Sequence, residues 1–142
     1  MPDRGTIRIL IIDDDLEFAD LLRMHLTGAG YAAEVAEDAV EGGKALLTRP
    51  PALVLCDIGM PYLNGLEFMS LMQADAQLAT IPVVVVSGRN DSDTLARAVE
   101  LGAADFLAKP ITREQLLQTV EACLQAGGRR AAPPDYGFPP VV

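Results

Sequence analysis

The 142-residue chain contains two cysteines, one histidine and only 5% aromatic residues. Cys56 lies inside an apolar run and Cys123 in a helical segment, without metal-ligand spacing. They read as small buried hydrophobes in a reducing compartment, neither a disulfide framework nor a thiolate metal site. The one histidine, His25, falls at the polar edge of a helical stripe and reads as an ordinary helix residue. Positive charge is also scarce: 11 Lys and Arg stand against 20 Asp and Glu, a formal charge of −9. That balance argues against direct binding to nucleic acid or to an anionic membrane surface. No apolar run approaches the roughly 20 residues that span a bilayer. From Asp3 and Arg4 the sequence passes directly into an apolar run, so no signal peptide is expected and the expected location is cytoplasmic.

What is plentiful is apolar sequence, half of the chain. A chain of this length suits one compact domain with a core of its own. Four short apolar runs each stop on a residue capable of phosphate chemistry. Ile7–Ile12 runs into Asp13, Asp14 and Asp15; Ala52–Cys56 into Asp57; Ile81–Val86 into Ser87; and Asp105–Ala108 into Lys109 and Pro110. Tyr31–Ala36 adds a weaker strand. Between the runs lie helical patterns. Leu16–Thr27 carries apolar residues at 18, 21, 22 and 26, the stripe of an amphipathic helix capped by Asp15 and ended by Gly28 and Gly30. Asp38 caps a helix to about Arg49, weakened by Gly42 and Gly43 in its middle. Asn64 caps one from Gly65 to Ala76, with Leu66, Met69 and Met72 on one side. Asp91 or Ser92 caps one that runs to Leu101 and closes on Gly102. Thr112 with Gln115 matches a capping box that opens the last helix, whose apolar set is Leu116, Leu117, Val120 and Leu124.

The order is βα five times, with strands apolar on both faces, which predicts an α/β domain with a parallel sheet covered on both sides. In such a sheet the carboxyl ends of the strands share one rim, where ligands bind. The domain is expected to occupy residues 1–126. Residues 127–142 are Pro- and Gly-rich and read as a tail or linker, so the chain is either a stand-alone domain or a piece of a longer one.

The residues at these strand ends carry a resemblance. Asp13-Asp14 after the first strand, Asp57-Ile58-Gly59-Met60-Pro61 with Gly65, Ser87-Gly88, and Lys109-Pro110 follow in order. The chain resembles the receiver domain of two-component response regulators, in its chemotaxis-regulator-like form, over about residues 7–125. The resemblance implies a flavodoxin-like (βα)5 three-layer sandwich with strand order 2-1-3-4-5. It implies a phospho-accepting switch that takes phosphoryl from a sensor histidine kinase or a histidine phosphotransfer protein. Such a domain assists its own phosphorylation and dephosphorylation and is not a conventional turnover enzyme. A phosphodonor histidine belongs on a helix bundle, a pattern this chain lacks.

The chemistry agrees. Asp57, expected to face open solvent, is the candidate phosphoacceptor, since a carboxylate oxygen can attack a phosphoryl group. Phosphoryl transfer requires positioning and charge neutralisation. Neighbouring carboxylates repel one another unless a cation lies between them. All-oxygen ligands with room for water suit Mg²⁺, or Mn²⁺. Asp14 and Asp57 are the direct ligands expected, Asp13 acts through water, and Asp15 is better read as a helix cap than as a further ligand. The resemblance adds the backbone carbonyl of Gly59 as a ligand and a cis Lys109–Pro110 bond that aims the lysine across the site. Lys109 supplies positive charge to the phosphoryl oxygens, Ser87 a hydrogen bond, and Gly88 an open approach. The resemblance also makes Ser87 and Phe106 the switch pair, and Gly59 and Arg89 the positions that influence phosphate lifetime. Because phenylalanine has no hydroxyl to keep solvated, the Phe106 ring is expected to favour its inward position. Output is expected on the face of helix four, strand five and helix five, through a downstream output domain or protein or a homodimer, with Arg97, Ala98 and Leu101 as contacts.

Two other classes compete. Asp13-Asp14-Asp15 after an apolar run also fits a haloacid-dehalogenase-like phosphohydrolase, with Asp13 as nucleophile and Asp15 as acid. That reading leaves Asp57 and Lys109-Pro110 unexplained and lacks a cap insertion. The other is a pseudo-receiver acting only as an interaction domain, which the complete residue set disfavours.

Overall fold

The computed structural model describes residues 7–58, 65–88 and 92–126. Asn64 and Asp91, two of the expected caps, and the segment 127–142 lie outside the described residues. Five strands alternate with five helices: β1 (Arg8–Ile12), α1 (Leu16–Gly28), β2 (Ala32–Ala36), α2 (Ala39–Thr48), β3 (Leu53–Asp57), α3 (Gly65–Gln73), β4 (Val83–Ser87), α4 (Ser92–Glu100), β5 (Asp105–Ala108) and α5 (Arg113–Gln125). A 3-10 turn at Leu78–Thr80, absent from the sequence reading, precedes β4. All pairings are parallel, in the order β2-β1-β3-β4-β5. This is the flavodoxin-like three-layer sandwich that the βα rhythm and the resemblance imply.

The two faces of the sheet bury separate cores, because alternate side chains on a strand point to opposite faces. Leu10, Ile12, Val54, Cys56, Val83 and Val85 face α2, α3 and α4 through residues such as Leu46, Met69 and Ala98. Ile9, Ile11, Leu53, Leu55, Val84 and Val86 face α1 and α5 through Leu22, Leu26, Leu116 and Val120. Strands covered on both faces must be apolar throughout, which is why the runs look continuous in sequence.

Local signals account for most of the boundaries. The Asp15 side chain accepts from the Phe18 N–H at 3.2 Å and caps α1. Asp38 accepts from the Glu41 N–H at 2.8 Å and caps α2. Thr112 and Gln115 exchange both bonds of the capping box. Gly102 closes α4 with φ at 89°, a conformation that favours glycine.

Several expectations are corrected. Helix α1 runs through Gly28, and the turn is made at Gly30, where φ is 97°. Leu21 of its expected stripe is exposed, and Ala19 is buried in its place. Helix α3 ends at Gln73 rather than Ala76, and Phe68 joins Met69 and Met72 in its buried set. In α5 the fully buried set is Leu116, Val120 and Cys123, with Leu117 and Leu124 half-buried. Gly42, read as a weakness of α2, lies close against β1: a Cβ there would stand 2.7 Å from Cδ1 of the buried Ile12, whose side chain would have to shift. Ala98 is fully buried and offers no contact surface, whereas Arg97 is exposed and pairs with Glu100 at 3.1 Å.

Candidate functional site

Strand register brings the rim residues together. Ile12 lies opposite Cys56, so Asp13 and Asp57 follow on adjacent strands. Asp57 itself pairs with Val86 and Ser87 with Ala108, as the last rungs of their ladders. The Lys109 N–H donates to the Ser87 carbonyl at 3.0 Å, extending that pairing to the lysine. The Asp13 N–H donates to the Ala36 carbonyl at 3.1 Å, which fixes the first acidic residue against the end of β2. The Lys109–Pro110 bond is cis.

Carboxylate oxygens of Asp13, Asp14 and Asp57 all lie within 4.8 Å of one another. The Lys109 ammonium stands 3.1 Å from Oδ2 of Asp13 and 3.7 Å from Oδ2 of Asp57. It also lies over the Phe18 ring, 4.4 Å from the centroid. Asp13, Asp57 and Ser87 are buried, whereas Asp14 is exposed. The Asp57 side chain keeps only 10% of its exposure, so the carboxylate expected to face open solvent is recessed at the rim. Gly88 is exposed, and a Cβ there would meet nothing within 4 Å.

Asp13 carries the electrostatic strain of the cluster. Burial first, and then the Asp57 charge, raises its pKa above the usual 3.8; the Asp15 N–H and Lys109 oppose this. Its Oδ1 accepts from the Asp15 N–H at 2.9 Å. Its Oδ2 is buried without a well-aligned hydrogen bond, facing the ammonium. Clustered carboxylates with a buried oxygen open to another partner fit a hard divalent cation with oxygen ligands.

The Cys56 thiol next to Asp57 is fully buried. Burial, and then the Asp57 charge, pushes Cys56 far above the thiol range. Cys123 is pushed up to about 11 by burial and Asp105.

Comparison with known proteins agrees with this geometry. Residues 9–121 match the family model of the response regulator receiver domain. The chain belongs to that family. It is 36% identical over 131 residues to the response regulator MprA of Mycobacterium bovis, covering 92% of this chain and 54% of that protein. The chain thus spans about half the length of the curated relatives it matches. The receiver domain of NtrX from Brucella abortus superposes with a TM-score of 0.77 at 32% identity, over 82% of this chain and 98% of that one. The chemotaxis protein CheY4 of Vibrio cholerae gives 0.76 at 26% identity, over 82% and 97%.

The sequence reading anticipated Asp13, Asp14, Asp57, Ser87 and Lys109 at one rim, and the fold brings them there. Gly59, with its carbonyl, and Arg89 lie outside the described residues. Asp15 is a helix cap. Its Oδ1 accepts from the Phe18 N–H, and the receiver-domain match over residues 9–121 is what disfavours the phosphohydrolase reading. Phe106 is half-buried and packs against the core beneath α4. The contact of Phe18 with the lysine was not foreseen. Periodicity reads an aromatic in the first turn of a helix as core, and nothing in sequence links positions 18 and 109.

Proposed function

We propose that Asp57 is the phosphoacceptor of this receiver domain, with Lys109 and Ser87 binding the phosphoryl oxygens. The observation that supports this most directly is the Lys109 ammonium beside both Asp13 and Asp57, at 3.1 and 3.7 Å. An Asp57 oxygen attacks phosphorus in line, the bond to the donor nitrogen or acyl oxygen breaks, and an acyl phosphate forms. Lys109 meets the charge on the transferring oxygens, and Ser87, on the last rung of β4, donates to one of them. Asp13, Asp14 and Asp57 would hold Mg²⁺, or Mn²⁺, with the Gly59 carbonyl as a further ligand; the cation would supply charge neutralisation to the phosphoryl group.

The donor we infer is a histidine kinase or a histidine phosphotransfer protein in the cytoplasm, and the domain assists its own phosphorylation and dephosphorylation. Among the described residues no helix is long and apolar enough to cross a membrane. The phosphoryl group would draw Ser87 toward it and leave Phe106, already packed on the core, to settle inward. The change would surface on α4, β5 and α5, for a downstream output domain or protein or a second copy to read. Moving such a pair of states from 1:99 to 99:1 takes about 5.5 kcal/mol. A few charge-assisted hydrogen bonds confined to the active state are of that order. We infer a receiver body through residue 126 and a linker or tail in 127–142.

Incubation with acetyl phosphate and Mg²⁺, followed by intact mass, tests the reading. One added phosphoryl group is expected, absent in Asp57→Asn and after chelation. An adduct that survives Asp57→Asn would overturn the assignment.

A further inference from the structure

Four contacts close into a ring beside the acceptor. The Asp15 N–H donates to Oδ1 of Asp13 at 2.9 Å. The Phe18 N–H donates to Oδ1 of Asp15 at 3.2 Å. The Lys109 ammonium lies over the Phe18 ring at 4.4 Å and returns to Oδ2 of Asp13 at 3.1 Å. The cap that starts α1 therefore also fixes where the Phe18 ring stands, relative to the same carboxylate that holds the lysine.

We infer that Phe18 is a positioning residue: its ring, set by the Asp15 cap, holds the Lys109 ammonium at the acceptor carboxylate. This rests on the reading of Asp57 as phosphoacceptor for its kinetic consequence, though not for the contact itself. The physical case has two parts. A lysine side chain has four rotatable carbons and a strongly hydrated head, so an exposed one spends much of its time in solvent. Lys109 retains 23% exposure, enough for such excursions. The face of an aromatic ring attracts an ammonium through its quadrupole while shielding the aliphatic stem. Phe18 is half-buried and anchored against the core shared by α1 and α5, so the ring itself is held. Leucine would fill much of the same apolar space without offering that face.

The variants Phe18→Leu and Phe18→Tyr separate position from packing. In the wild-type protein the Lys109 side-chain methylene protons should resonate upfield, shifted by the ring current. Phe18→Leu should remove that shift and slow phosphorylation by acetyl phosphate with Mg²⁺ roughly two- to fivefold, the scale of a partly exposed cation–π contact. Phe18→Tyr, which keeps the ring face, should preserve both. Unshifted Lys109 protons in the wild type, or equal impairment in the Leu and Tyr variants, would overturn the inference. So would a Leu variant that phosphorylates at the wild-type rate. If the wild type shows the ring-current shift but takes up no phosphoryl group, the reading of Asp57 fails while the contact stands.

Discussion

Two charge clusters on this small domain are near mirror images in sign and behave differently. Beside β2, Arg8 and Arg49 share one carboxylate, Glu34, at 3.0 and 3.6 Å, and all three side chains are about a third exposed or more. At the strand ends, three carboxylates gather and Lys109 faces two of them, with Asp13 and Asp57 buried. Water screens the first cluster, so its excess charge costs little. The second is partly removed from water, so its excess negative charge is poorly screened and would attract a cation. Surplus charge is tolerated on an open edge and becomes chemically useful only where burial keeps it from being screened.

The largest break in this contrast should come from Lys109→Met. In cation-free buffer at neutral pH it leaves the buried carboxylates facing one another and should destabilise the fold by about 2–3 kcal/mol in urea unfolding, with Mg²⁺ restoring part of the loss. Asp13→Asn should act in the opposite direction. Because the native pKa of Asp13 is raised above 3.8, its contribution to stability is fully present below about that pH and is lost as pH rises through the native value. At neutral pH without a cation, Asp13→Asn should therefore raise stability, read as a higher urea midpoint. It should also flatten this part of the pH dependence and weaken Mg²⁺ binding in titration calorimetry. Glu34→Gln should be the mildest, less than about 1 kcal/mol and diminished by salt, with phosphorylation unchanged. A larger effect at Glu34 than at Lys109 would erase the distinction between the clusters.

Of this contrast, the strand-end cluster was legible in the chain, and the Arg8–Glu34–Arg49 cluster was not. Asp57 and Ser87 could be placed because valine- and leucine-rich strands covered on both faces end abruptly, and a parallel sheet puts all those ends on one rim. Asp15, Asp38 and Thr112 could be placed as caps because a cap requires only residues within one turn. Errors arose where the deciding partner was distant. Leu21 fits the α1 stripe but faces solvent, and Ala98 looked available on α4 but is packed in the core. Gly42 looked like a flaw in α2 until Ile12 of β1 proved to occupy the space of its missing side chain. The recess around Asp57 and the ring under Lys109 likewise depend on how elements pack, which periodicity along one element does not encode.

Hydrophobic period, cap residues and strand-end chemistry, all read within a few neighbouring positions, determined the βα order and the cast of reactive side chains. Only the tertiary structure decided that Asp13 would be the buried, strained carboxylate and Asp14 the exposed one, and that a ring from α1 would stand beneath the lysine from the end of β5. Desolvation and cross-element contact are properties of packed surfaces, and residues adjacent in sequence can differ completely in both.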